Sequence, residues 1–218
     1  MIEFYTWPTS NNLKIAIMLE ETGLPYEVRP VDIDNGAQFS AAYRAICANS
    51  KVPAIVDHID GQRVSIFESG AILVYLAEKT GQYLAPGGIE RAKAFEWLFW
   101  QVSGIGPTLG QFNYFANRAP QKLPLALDRF SSEFVRLFDV LETRLQQVAY
   151  LAGERYTIAD MAIFPWARLG RPYLEPLAGA ERAGAGWPSV DAYLNVLGMR
   201  EAVKRADGVR PPGSGTGK

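Results

Sequence analysis

The chain has 218 residues, 48% of them hydrophobic and 12% aromatic, enough to fill one or two globular cores. Its 22 Lys and Arg stand against 23 Asp and Glu, and the formal charge of -1 excludes a global field that would gather nucleic acid or an anionic membrane. A single cysteine, Cys47, excludes an intramolecular disulfide and fits a reducing compartment, with the cytoplasm as the default; with a single histidine, His58, no zinc site is expected and no metal is assigned.

In chain order, Ile2-Glu3-Phe4-Tyr5-Thr6 alternates as a strand and residues 13–21 follow as a helix. This predicts a strand-to-helix turn over residues 7–12, the place where thioredoxin-like proteins carry Cys-x-x-Cys. Here the turn offers Pro8, Thr9, Ser10, Asn11 and Asn12, which bring hydroxyls and amides but no thiol. The start reads as strand rather than as a basic and apolar leader, and the apolar run 71–77 is far shorter than a membrane span, so neither export nor anchoring is expected.

Residues 26–33 read as a second strand and residues 37–45 as a short helix. Residues 51–58 and 64–69 form an expected hairpin about Asp60-Gly61, and a helix over residues 70–79 ends at Gly81. The order βαβ, short helix, ββα predicts a mixed sheet with helices over residues 1–84. The Pro- and Gly-rich stretch 85–91 is the expected linker.

Beyond it the apolar spacing is helical. Phe95, Leu98, Phe99, Val102 and Ile105 form one stripe, with a kink expected at Gly104-Ile105-Gly106-Pro107. Leu127, Phe130, Phe134, Leu137, Phe138, Leu141, Leu145 and Val148 form another. Thr157 with Asp160 reads as a capping box, a folding signal, with Tyr156 and Met161 as its hydrophobic staple. An all-helical domain is expected over residues 92–206 and a flexible tail over residues 207–218.

Candidate site residues gather in the first part. Glu68-Ser69-Gly70 passes from a strand into a helix, where the Ser69 N–H and hydroxyl suit a carboxylate and Glu68 suits an ammonium. Read locally, the pattern favours the simpler reading, in which Ser69 is an ordinary N-cap and Glu68 a favourable first-turn charge. Val52, beside Pro53 at a strand start, offers backbone groups to an extended ligand. Cys47 lies far along the chain from the first turn and reads as a small buried hydrophobe.

Taken together, Val52-Pro53, Glu68-Ser69-Gly70, the linker and the Thr157 to Asp160 box resemble the cytosolic glutathione transferases over nearly the whole chain. The strings VDIDNGAQF, NSKVPAIVDH, FESGAILVYLAEKTG, WLFWQVSGIGPTLGQ and LDRF are similar to the bacterial Nu class, which includes glutathione-dependent disulfide-bond reductases. The resemblance implies an N-terminal thioredoxin-like α/β domain followed by a C-terminal helical bundle, glutathione as cosubstrate, a homodimer, and a small disulfide or an electrophile as second substrate. It implies that the ligand brings the sulfur, which Thr9 and Asn11 would activate; Ser10, which stands where the class has proline, is a rival because other transferase classes use a serine near this point. Asn12 likewise stands where the class has glycine, and Tyr5 is a weaker rival. The remaining implied contacts are Gln38, Lys51, Val52, Glu68, Ser69 and Arg129. Trp97, Trp100, Phe112, Tyr114 and Phe115 are candidates to line the electrophile side or simply to fill core. A conjugating transferase and a noncatalytic binding module of the same fold remain the alternatives.

Overall fold

In the computed structural model, which describes residues 1–178 and 186–214, strand β1 (Ile2–Thr6) turns Ile2, Phe4 and Thr6 inward. Helix α1 (Ser10–Thr22) begins three residues before the expected Leu13, because Thr9 takes extended backbone and caps it, and Gly23 ends it in the left-handed region at φ 66°. Strand β2 (Tyr26–Pro30) is shorter than expected. Its continuation is turned aside at Asp32, whose Oδ1 accepts from the N–H groups of Asp34 and Asn35, both at 3.1 Å. The short helix expected over residues 37–45 is split into a 3₁₀ turn, Ala37–Phe39, and α2 (Ala41–Arg44), because Ser40 is extended and caps α2 through Tyr43 N–H.

Strands β3 (Ala54–Ile59) and β4 (Gln62–Phe67) form the hairpin, with Asp60 at φ 49° and Gly61 at φ 78°, the geometry of a type I′ turn. Helix α3 (Ser69–Thr80) follows at once. The four strands lie in the order β2-β1-β3-β4, with β1 parallel to β2 and the other pairs antiparallel.

Seven further α-helices follow among the described residues. Helix α4 (Gly88–Trp100) runs into a widened turn at Gln101–Ile105, where Gly106 N–H reaches back to Gln101 C=O, and α5 (Gly106–Asn117) continues with Pro107 in its first turn. The kink expected here is thus a local unwinding. Then come α6 (Pro124–Leu145), α7 (Ile158–Gly170), α8 (Leu174–Ala178), α9 (Pro188–Gly198) and α10 (Glu201–Asp207).

The chain divides into two compact units, Met1–Pro86 joined by Gly198–Lys218, and Gly87–Leu197. Residues 198–206, expected with the helical segment, group instead with the first unit. Their helix α10 buries Ala202, Val203 and Ala206, packs along α1, and is tied there by Arg200 to Glu21 (2.5 and 3.0 Å) and Arg205 to Glu20 (2.7 Å). Of the tail expected over residues 207–218, residues 215–218 lie outside the described residues.

The second unit is held by the faces of α5, α6 and α7. Phe134, Leu137, Phe138 and Leu141 of the expected stripe are buried, and Gly170 admits Leu109 and Phe134 so closely that a Cβ there would stand 2.9 Å from both. The capping box forms at Thr157, and Asp160, 0% exposed, does more than cap. It accepts from Thr157 N–H (2.8 Å), Thr157 Oγ1 (3.1 Å), Leu151 N–H (2.9 Å) and the Tyr193 hydroxyl (2.7 Å). Among the described residues no helix is long and apolar enough to cross a membrane, and no group of His, Cys, Asp or Glu forms a metal-binding cluster.

Candidate functional site

The sheet register decides what meets what. Thr6 pairs with Pro30, Tyr5 with Ala54, and Ala54 with Phe67. The ends of β1, β2 and β4 and the start of β3 therefore lie along one edge of the sheet. The segments that leave or enter there are the Thr9 turn, the loop carrying Gln38, residues 51–53, and Glu68-Ser69. These residues, spread over sixty positions of sequence, are gathered by topology alone.

Thr9 stands outside the first turn of α1 with its Oγ1 accepting from Asn12 N–H (3.4 Å) and Asn12 Nδ2 (2.6 Å). A threonine oxygen has two lone pairs and one hydrogen, so with both lone pairs engaged the hydrogen is left to donate. Ser10 and Asn11 are the first two residues of the helix rather than turn residues, and both are half-buried. Their N–H groups lie in the first turn, where the helix dipole favours negative charge. Asn12 is 3% exposed, and its Oδ1 has no hydrogen-bond partner among the described residues.

At the start of α3, Glu68 holds φ 71° and ψ 117°, a backbone region that non-glycine residues rarely occupy. Such strain persists only where the surroundings impose it. Helix α3 has no side-chain cap, and the exposed Glu68 carboxylate accepts from Asn49 Nδ2 at 3.2 Å. Ser69 is 7% exposed and accepts at Oγ from Lys14 Nζ at 3.2 Å. Lys14 is 1% exposed, and burial pushes its pKa down to about 7 against the upward pull of Glu68.

Residues 51–53 are fixed from below. The Tyr43 hydroxyl (2.7 Å) and Cys47 Sγ (3.3 Å) both donate to Lys51 C=O, which leaves the Lys51 side chain exposed and Val52 half-buried beside Pro53, across a cis peptide bond. Cys47 is 1% exposed and packs with Val31, Tyr43 and Ala54, the small-hydrophobe role expected of it. Gln38 donates to Ile33 C=O at 3.3 Å, and its buried Oε1 has no partner among the described residues. Tyr5 is engaged elsewhere: its hydroxyl donates to Glu3 at 2.9 Å, and burial followed by Glu3 pushes its pKa up. Arg129 lies on α6 in the second unit and is exposed. The aromatic candidates contact one another or their neighbours: Trp97 meets Trp100 edge-on at 5.2 Å, Phe112 is 5% exposed, and Phe115 stacks on Phe130.

Two residues escaped the sequence reading as participants. Lys14 is not singled out there, although Lys14, Ile17 and Met18 share the three-four spacing of one buried face. Asn12 reads as one more turn residue, and only its position three residues past Thr9 marks it as the partner of that cap.

The arrangement is a thioredoxin-like edge in which donors replace thiols. Comparison with known proteins agrees. Residues 1–78 match the family described as glutathione S-transferase, N-terminal domain, and residues 124–195 match glutathione S-transferase, C-terminal domain. A protein of Escherichia coli (strain K12) named disulfide-bond oxidoreductase YfcG is 49% identical over 169 residues, 76% of this chain and 79% of that protein. The crystal structure of a glutathione transferase family member from Pseudomonas fluorescens pf-5, with two glutathione bound, matches at a TM-score of 0.86 and 41% identity, covering 94% of this chain and 91% of that one. A glutathione transferase from Pseudomonas putida, with one glutathione disulfide bound per subunit, matches at 0.85 and 38%, covering 94% and 90%. A first unit whose turn has exchanged sulfur for hydroxyl and amide, followed by a helical unit matched in its own right, makes this chain a member of the glutathione S-transferase family.

Proposed function

We propose that the chain is a glutathione-dependent thiol-disulfide oxidoreductase that reduces small disulfides. The observation that carries this reading is the cysteine-free turn, in which Thr9 keeps its hydroxyl hydrogen for a ligand while Asn12 occupies the oxygen. A thiol supplied by glutathione and stabilised there as thiolate attacks one sulfur of the disulfide and forms a mixed disulfide, and the other sulfur leaves as a thiolate. A second glutathione thiolate then attacks the glutathione sulfur of the mixed disulfide. This yields glutathione disulfide and the second substrate thiol, so two glutathiones supply the two electrons. No protein sulfur takes part, consistent with the burial of Cys47.

In this reading Thr9 and Asn11 hold the thiolate, with Ser10 as the rival donor. Glu68 takes the γ-glutamyl ammonium and Ser69 its carboxylate, the Val52 backbone and Gln38 hold the middle of the tripeptide, and Lys51 with Arg129 neutralise the glycyl carboxylate. Glutathione disulfide in the Pseudomonas putida relative is the product such a reaction makes, and two glutathione in the Pseudomonas fluorescens relative match the need for a second thiol. The name of the Escherichia coli relative supports the same reaction. We assign the chain to the Nu class, as a cytoplasmic homodimer.

Steady-state kinetics on one preparation test the proposal, with a small organic disulfide and an aryl halide as alternative second substrates. The expected result is a higher kcat/KM for the disulfide. A higher value for the aryl halide makes the chain a conjugating transferase, and tight glutathione binding without either activity makes it a binding module.

A further inference from the structure

Lys14 is the one lysine or arginine among the buried polar residues of the described chain, and the reaction as proposed gives it no task. An ammonium has three donors and no acceptor, so in a Lys-Ser contact the protonated lysine donates and the serine oxygen accepts. That polarity has a consequence for Ser69. With Lys14 protonated, the Ser69 hydroxyl hydrogen is released to point elsewhere; with Lys14 neutral, the hydroxyl is free to donate into the amine lone pair instead. We infer that Lys14 is a positioning residue for the ligand's γ-glutamyl carboxylate: its buried ammonium, donating to Ser69 Oγ, turns the serine hydroxyl toward that carboxylate and sets a positive charge behind it. The inference rests on the reading of Ser69 as the seat of that carboxylate.

The surroundings of Lys14 fit a charge that is held in reserve. Burial pushes its pKa down to about 7, and Glu68 at the start of α3 is the charged group that pulls it back up. Of the other titratable groups on α3 and α10, which pack against α1, five bind groups other than Lys14. Tyr75 and Lys79 of α3 bind Asp57, Glu201 of α10 binds Lys204, Arg205 binds Glu20 and Arg200 binds Glu21. Glu78 of α3 and Asp207 of α10 complete the set among the described residues. An arriving carboxylate adds a second anion beside Glu68 and favours the protonated lysine. Below the free pKa the lysine is already charged and binding moves no proton. Above it, binding must draw a proton in, and affinity falls as pH rises.

The test uses S-methylglutathione, whose thioether removes the thiol titration, with calorimetry from about pH 6 to about pH 8 in buffers of different ionisation enthalpy. The wild type is expected to bind more weakly as pH rises and to take up a proton on binding at the upper end. Lys14→Met is expected to weaken binding roughly tenfold or more at the lower end, to flatten the pH profile and to abolish proton uptake. The double variant with Ser69→Ala is expected to bind no more weakly than the poorer single variant, because both act on one contact. Wild-type affinity in Lys14→Met, proton uptake that persists in it, or additive losses overturn the inference. Methionine fills the space and removes a buried charge, so folding is expected to survive. Should it fail, zero proton uptake by the wild type at the upper end overturns the inference, and uptake diminished by Ser69→Ala supports it. No binding by the wild type at any pH is a different failure, which removes the glutathione reading itself and the inference with it.

Discussion

Thr9→Ala removes one oxygen that has two duties. As the cap of α1, Oγ1 takes hydrogen bonds from Asn12 N–H and Asn12 Nδ2, so its loss costs about 1 kcal/mol of stability, the usual scale for an N-cap. As donor to the glutathione sulfur, the same hydroxyl makes a hydrogen bond to a charged group, and its loss costs about 1.5–3 kcal/mol of thiolate stabilisation. The second figure corresponds to roughly one to two decades in kcat, and to a rise of about one to two units in the pKa of the bound thiol. Ultraviolet titration of the thiolate in the glutathione complex, with kcat and KM for a small disulfide, reads both quantities. Turnover should fall more than glutathione affinity, because the head group stays on Glu68 and Ser69. Thr9→Ser keeps the oxygen and should restore both cap and rate, which separates the chemistry from the lost methyl group. A silent Thr9→Ala together with a dead Ser10→Ala would refute the reasoning and make the first helical residue the activator.

Two further outcomes are expected. Cys47→Ala should leave disulfide reduction within a few-fold of wild type, because that sulfur is buried against Val31, Tyr43 and Ala54 and donates to Lys51 C=O; a loss above roughly tenfold in folded protein would count against a ligand-borne thiol. Asp160→Ala should lower stability by on the order of 3 kcal/mol or more, since it strands the buried donors of Leu151 and Tyr193 as well as the cap of α7. Urea unfolding measures it, and a change no larger than that of an exposed carboxylate would show that the network carries little.

Local rules worked where the partners are close in sequence. Asp60-Gly61 announced the hairpin, and Thr157 with Asp160 announced the start of α7, because both signals act over a few residues. Residues 10–12 were misjudged as turn, since Thr9 is a cap only if its backbone is extended, and composition does not display that. The gathering of Thr9, Val52 and Glu68-Ser69 came from family likeness, and the strand register is its physical reason. Lys14 stayed hidden because its acceptor lies 55 residues away, so nothing near it in the chain marks the site as one that tolerates a buried cation. The same distance problem concealed α10, whose partners Glu20 and Glu21 lie 185 and 179 residues before Arg205 and Arg200.

That long return has a consequence for how the molecule is made. On the ribosome the strands, α1 and α3 emerge first, but the flank of α1 that receives α10 stays uncovered until residues 201–207 have been synthesised. Glu21, whose side chain is only 7% exposed in the finished fold, waits for a cation that is translated 179 residues after it. The first unit is therefore closed only after the intervening helices already exist as chain. A cut after Pro86 would not excise it, and any graft that exchanges this unit with a relative's must carry α10 along with it.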